Sequence, residues 1–335
     1  MGLLVAGLVL GLAIILLSCE LFTNGIEWLG NKLGLGDGVV GSVFSAVGTC
    51  LPETMIPVIA ILFTDSSQDS VDIGIGAIVG APFMLSTLAF FITGLSVILF
   101  RKRRKTGTKM KLNNKILSRD IGFFIIVYSI GIFAAFIESS TTKNAIALFL
   151  IICYGYYVHL TIKQDGHSHS SLELLLLTKY LKIRTGLKSI LFQILIALAG
   201  IIFGAEVFVM NIEETSHMLG ISVLVLSLII TPIATELPEK FNSIIWISKN
   251  KDTLALGNIT GAMVFQSCIP VAIGISATKW NLDFRSISSA VLALTSGLIC
   301  YVWIKVKGKL SPLPLLAGGG LYLVFITQLI SLGFK

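Results

Sequence analysis

The sequence predicts an all-α polytopic membrane protein, with ten transmembrane helices arranged as two inverted five-helix repeats. Three observations carry this expectation. Of 335 residues, 55% are apolar and 13% charged, about half the charge of a soluble domain, and the mean hydropathy is +0.91. Apolar runs of the roughly 20 residues needed to cross a bilayer recur along the whole chain. Two of those runs carry nearly the same pentad, Thr49-Cys50-Leu51-Pro52-Glu53 and Thr235-Glu236-Leu237-Pro238-Glu239.

In chain order, the first run (2–29) has no basic residues before it and no cleavage site, so it reads as a retained helix rather than a signal peptide. Run 38–63 holds the first pentad, run 72–100 a Gly76-x-x-x-Gly80 step, and runs 119–137 and 144–163 complete a first half. A polar linker, 164–186, follows. Runs 187–212, 219–247 (second pentad), 252–278 (Gly257-x-x-x-Gly261), 286–304 and 312–332 repeat the order. The expected division is therefore 1–163, linker 164–186 and 187–335. Several runs are longer than one span needs and contain Gly, Pro or polar residues, as tilted or broken helices do.

Charge placement gives an orientation. Arg101-Lys102-Arg103-Arg104-Lys105, Lys109, Lys111 and Lys115 follow the third run, which makes that loop cytoplasmic by the positive-inside rule and the N-terminus external. Lys32, Lys163, Lys179, Lys182, Arg184, Lys249, Lys251, Lys305, Lys307 and Lys309 then fall on the same side, and Asp65, Asp69, Asp72, Glu213 and Glu214 on the other. The basic run 101–105 reads as this orientation signal and as a contact for lipid headgroups. An odd number of spans per half inverts the second half relative to the first.

The duplication is legible in register. With Glu20 set against Glu206, Phe22 meets Phe208, Ile26 meets Ile212, Leu33-Gly34 meets Leu219-Gly220, Thr49 meets Thr235, and Leu51-Pro52-Glu53 meets Leu237-Pro238-Glu239. After a five-residue difference in loop length, Gly76, Gly80 and Ala81 meet Gly257, Gly261 and Ala262. Apolar helices share Leu and Val by chance; they do not readily share Glu, Pro and Thr in register.

The chemistry follows from the residue types. A carboxylate in the middle of a span is costly and is a functional residue by default. Pro52 and Pro238 leave the carbonyls of Gly48 and Ala234 without their helix partners, which is tolerated at membrane depth where the backbone lines a cavity. Thr49 and Glu53, like Thr235 and Glu239, are four apart and share a helix face. Two such faces meeting would form an oxygen-rich cage for a hard cation such as Ca²⁺, which takes 6–8 oxygens. The Gly-x-x-x-Gly steps read as close-packing devices. Glu20 and Glu206 read equally as gating or supporting acids or as helix-terminal groups, and Glu27 and Glu213 as solvated. Internal repeats of this kind place substrates at the repeat interface, near mid-membrane.

Gly48-Thr-Cys-Leu-Pro-Glu53, Ala234-Thr-Glu-Leu-Pro-Glu239 and Gly257-Asn-Ile-Thr-Gly261 resemble the motifs of the cation/calcium exchanger superfamily, and its sodium/calcium exchanger branch most closely. The resemblance spans nearly the whole chain. It implies alternating-access exchange of Ca²⁺ against Na⁺ or H⁺, with Glu53 and Glu239 as central ligands and Thr49 and Thr235 adding oxygens. Departures accompany it. Where the family has Ser in the motif, this chain has Cys50 and Glu236, and several polar positions of the following helix become Ala81, Leu85, Ala262 and Met263, with Gln266 alone keeping an amide. These replacements remove oxygens the family uses for Na⁺. Gln266 is thus expected to complete the cation shell, and Glu236 to be a third acid or an ion-pair partner. Lys240, four after Glu236, reads either as its ion-pair partner or as a tethered cation at a lost sodium position.

Alternatives stay open at this stage: exchange of Mg²⁺, Na⁺ or K⁺, or a non-transporting membrane cation sensor. The chain is not expected to be an enzyme, since it has no His-Glu-x-x-His, Gly-x-Ser-x-Gly or phosphate-loop motif. No cofactor is expected. The expected partners are inorganic cations and the lipid bilayer, with the oligomeric state left open; nucleic acid is excluded because the net charge of +7 lies in short loops between apolar runs. The expected location is the cell membrane. His167 and His169 beside Asp165 and Glu173 are too sparse for a metal site, and the five cysteines have no ligand or disulfide spacing.

Overall fold

The computed structural model describes residues 2–32, 50–64, 67–164, 174–181 and 185–332, with the side chains of 162–164, 181 and 237–242 outside the description. All regular structure among the described residues is helical. The first half comprises α1 (Gly2–Lys32), α2 (Leu51–Leu62), α3 (Gln68–Met84) running through a π-helical turn (Leu85–Ala89) into α4 (Phe90–Leu99), α5 (Asn114–Phe133) and α6 (Ser140–Gln164). A short α7 (Leu176–Leu181) lies in the linker. The second half comprises α8 (Leu187–Leu219), α9 (Val223–Ser248), α10 (Asp252–Ala277), α11 (Phe284–Lys307) and α12 (Pro312–Leu332). Eight of the helical segments, taking α3 to α4 as one, are long and apolar enough to cross a membrane; Leu51–Leu62 and Val223–Glu236 are shorter apolar helices.

Local signals set the ends. The Ser67 hydroxyl accepts from the Ser70 N–H at the start of α3, Asn113 accepts from Lys115 and Ile116 at α5, and Asp283 accepts from Ser286 at α11. Each satisfies N–H groups that a helix start leaves open. Gly220 and Gly308, at φ 64° and 67°, end α8 and α11 in the left-handed conformation that glycine adopts without strain.

Contact registers show the chain direction of each helix. Along α1 and α8, Gly7 lies beside Asn211, Gly11 beside Phe208, Ser18 beside Gly200 and Gly25 beside Ile194. One helix ascends while the other descends, so these equivalent helices of the two halves run antiparallel, as inversion requires. Gly11 makes the crossing possible: a Cβ there would stand 2.9 Å from the Phe208 nitrogen and 3.0 Å from the Gly204 oxygen. Between α3 and α9, Ile73 pairs with Ser227, Gly76 with Leu224 and Leu228, and Gly80 with Leu228 and Pro232; these helices run parallel. By the same reasoning α5 and α10 are parallel (Asp120 with Thr260, Gly131 with Val271). Helices α4 and α12 are antiparallel (Gly94 with Leu315, Gly319 with Phe91). All of these directions agree with ten alternating spans.

The halves interlock. Helix α3, with its continuation α4, packs on α9, α11 and α12 of the second half, while α10 packs on α5 and α6 of the first. Helices α1 and α8 pack chiefly on each other and only lightly on the remainder. The Gly-x-x-x-Gly step of α3 is a close-packing device, since a Cβ on Gly80 would collide with the Leu228 carbonyl and with Pro232. In α10 the expectation is not met among the described residues: nothing lies within 4 Å of a Cβ on Gly257, and Gly261 meets only the Tyr157 hydroxyl at 3.7 Å.

Two loop readings are corrected. Arg104, within the basic run, is not a lipid contact; it is buried and clamps Asp252 at the start of α10. Its Nη1 and Nη2 donate to the two Asp252 carboxylate oxygens at 2.6 and 2.8 Å, Nη1 also donates to Ile247 O, and the Lys111 N–H donates to Asp252 at 2.8 Å. Such bidentate pairing fits guanidinium geometry. The other four residues of the run are exposed. The linker also is not wholly polar: Leu175 and Leu176 are buried, and Leu175 packs with Ile190 and Ile194. The start of α7 is pinned by Asn24 Oδ1, accepting from Leu176 N, and by Gln193 Oε1, accepting from Leu177 N. His167, His169, Asp165 and Glu173 lie outside the described residues.

Candidate cation-binding site

Helices α2, α9 and α10 pack on one another, with α3 against all three. Pro52 stands in the first turn of α2, where its missing N–H breaks no helix bond. Glu53 follows it in that turn, 3% exposed, with its carboxylate at the positive end of the helix dipole. Gly48 and Thr49 lie outside the described residues. Glu53 lies within electrostatic reach of Cys19 on α1, and Cys50 within reach of Tyr154 on α6. The same tyrosine neighbours Cys268, two residues past Gln266 on α10.

Helix α9 carries a ladder of hydroxyls spaced by four. Ser227 donates to Ile73 O at 2.7 Å, Ser227 and Thr231 share a 3.2 Å bond, and Thr235 donates to Thr231 O at 3.0 Å. Thr235 and Glu236 are 2% and 1% exposed. The Thr235 proton is thus used within the helix, and its hydroxyl oxygen keeps its capacity to accept. The α9 helix continues through Pro238, so the Ala234 carbonyl lacks its ordinary N–H partner. The side chains of Glu239 and Lys240 are outside the description.

Helix α10 contributes a pronounced polar imbalance. Gln266 and Ser267 are both 0% exposed, and neither the amide oxygen, the amide nitrogen nor the Ser267 hydroxyl has a hydrogen-bond partner among the described residues. A buried polar group left without a partner costs about 1–3 kcal/mol. In the first half the equivalent stretch begins with Leu85 and Ser86 and forms the π-turn. There Ser86 donates to Pro82 O at 2.8 Å, Thr87 to Phe83 O at 2.5 Å, and Ser296 to Ser86 O at 2.5 Å. One half consumes its polar groups internally, and the other leaves them available. Ala81, Leu85, Ala262 and Met263 are all buried.

Glu20 and Glu206 are both exposed on α1 and α8. Glu213 is half-buried beside Asp69 and His217 at the acidic end, with His217 Nε2 3.0 Å from Asp69 Oδ2. Sequence reasoning missed Ser267 and Ser86, although both fall in register once Gly76 is set against Gly257. It also missed Asp120, a buried acid on α5 that accepts from Thr260 on α10 at 2.9 Å and from Arg119 at 2.9 Å. Asp120 sits near the start of a run dominated by its apolar remainder, so no pattern singled it out.

The chain matches the family model described as sodium/calcium exchanger protein over residues 3–163 and 189–331, a division that falls at the linker. It is 25% identical over 295 residues to CaxA of Alkalimonas amylolytica, whose name proposes an antiporter, covering 85% of this chain and 86% of that protein. It is 23% identical to the inner membrane protein YrbG of Escherichia coli K12, covering 88% of this chain and 87% of that one. Among solved structures it superposes on an H⁺/Ca²⁺ exchanger, CAX, with TM-score 0.70 and 16% identity over 98% of this chain and 82% of that one. It superposes on the sodium-calcium exchanger NCX_Mj with TM-score 0.56 and 22% identity over 98% and 99%. These likenesses establish the ten-helix exchanger fold.

Proposed function

The chain belongs to the sodium/calcium exchanger family, and from that premise we propose that it is a secondary active antiporter that exchanges Ca²⁺ for H⁺. The observation that carries the site is the fully buried Gln266 on α10, whose amide has no partner among the described residues, on a helix that packs against both α2, which bears Glu53, and α9, which bears Thr235 and Glu236. A hard cation supplies the partner that this amide oxygen lacks. Glu53 and Glu239 would be the principal ligands, with oxygens from Thr49, Thr235, Gln266 and the freed Ala234 carbonyl. That donor set suits one calcium ion.

The residues that replace the expected polar side chains support the proton as counter-ion. Ala81, Leu85, Ala262 and Met263 are buried and offer no side-chain oxygen, so dedicated sodium positions are absent from those places. A carboxylate in a low-dielectric site that loses its cation favours its protonated form, which makes the proton the natural return cargo. Glu236 is a further acid for this exchange. The α1–α8 pair, packed lightly on the remainder, is the element free to shift and open the site to alternate sides.

The test is ⁴⁵Ca²⁺ uptake into proteoliposomes under imposed H⁺, Na⁺ or K⁺ gradients. Uptake driven by a proton gradient is expected. Uptake driven by sodium alone would overturn the assignment of the counter-ion, and no uptake under any gradient would overturn the calcium-antiporter reading itself.

A further inference from the structure

Antiparallel packing of α5 and α11 places the first turn of one beside the last turn of the other. Asn114 Nδ2 donates to Gly308 O at 2.7 Å and ties these ends together. Between the two helices runs an open groove of about 600 Å³. Its outer end carries Lys115, in the first turn of α5, and Lys305, in the last turn of α11. Arg119 also lines it, but its guanidinium holds Asp120 at 2.9 Å and lies 5.1 Å over the Tyr157 ring, so its charge is already balanced. Lys115 and Lys305 meet no carboxylate among the described residues. Two positive charges that no carboxylate neutralises therefore stand at the mouth, the Lys305 Nζ lying 5.3 Å over the neutral Tyr301 ring.

Two to three turns further along α5 the lining changes character. Gly122, Phe123 and Ile126 continue the groove towards the middle of the span, and Ile126 is 61% exposed. Gly122 leaves the floor open where a larger side chain would fill it against Tyr301. The groove is thus cationic at the end of the helices and apolar along their length.

We propose that this groove binds an anionic phospholipid, with the phosphate between Lys115 and Lys305 and an acyl chain along Gly122, Phe123 and Ile126. Charge complementarity selects the headgroup, since basic pockets between spans attract anionic lipids. The apolar lower half selects a lipid over a soluble phosphate. A second copy of this chain is disfavoured, because a like surface would bring the same lysines together.

Native mass spectrometry of the purified full chain, titrated with phosphatidylglycerol or phosphatidylcholine, tests this. Phosphatidylglycerol should bind more tightly, and K115Q/K305Q should weaken it roughly thirtyfold without changing phosphatidylcholine binding. K102Q/K105Q removes the same charge from exposed positions outside the groove and should change binding less than threefold or so. Ile126→Asn, which leaves the charge intact, should also weaken phosphatidylglycerol several-fold. Equal losses in the two lysine double variants, equal binding of the two lipids, displacement by equimolar glycerol phosphate, or an indifferent Ile126→Asn would each overturn the proposal.

Discussion

Replacing Gln266 by Met separates a ligand from a structural amide. Met keeps an unbranched chain of similar length but removes both polar atoms. Those atoms are buried and have no partner among the described residues, so without an ion each carries a desolvation cost of about 1–3 kcal/mol. Removing them should therefore stabilise the calcium-free protein by roughly 1–3 kcal/mol, allowing for part of that cost to be relieved by relaxation. For a chain of this length, that corresponds to a rise in melting temperature on the order of 1–4 °C. The same substitution removes one calcium ligand, so the additional stabilisation given by Ca²⁺, which grows with the ratio of its concentration to Kd, should shrink. Thermal unfolding in detergent with and without Ca²⁺ reads both effects. A Q266M protein that melts lower without calcium yet keeps the full calcium increment would refute the reasoning, because the amide would then serve the fold and not the ion.

Three further outcomes are expected. Glu53→Gln, nearly isosteric, should abolish ⁴⁵Ca²⁺ uptake in proteoliposomes while the protein stays folded; retained uptake would remove Glu53 from the ligand set. Asp252→Ala strands the Arg104 guanidinium, both side chains being 0% exposed, and should cost about 3–5 kcal/mol, seen as a lowered melting temperature and yield. Gly80→Ala should destabilise by about 1–3 kcal/mol because the new methyl meets backbone rather than a yielding side chain, whereas Gly257→Ala should be nearly neutral in the same unfolding assay.

Much of the architecture is legible in the sequence. The spans from Gly2 to Leu332 appear as apolar runs because a bilayer demands length and composition, which a sequence displays directly. Glu53 and Glu239 stood out because a carboxylate in such a run has no cheap structural use, and their shared register exposed the inversion. Burial was less legible. On a soluble helix, the apolar face marks the core; here nearly every face is apolar, so composition does not distinguish lipid from protein. Ser267 and Asp120 were overlooked for that reason, and the fourth residue of a basic run, Arg104, was read like its exposed neighbours.

The sequence by itself determined the fold class, the duplication and the acids proposed as ligands, since each rests on local composition or on repeated residues. Only the tertiary structure decided which polar groups are used up and which remain open. Ser86 and Ser267 occupy equivalent places, yet Ser86 is bonded within its own turn and Ser267 is not. The interlocking of α3 and α10 with the opposite halves, and the seating of Arg104 on Asp252 across 148 residues, follow from close approach in space. Hydrogen bonds and packing act over a few ångströms, and the partners they join are distant in the chain.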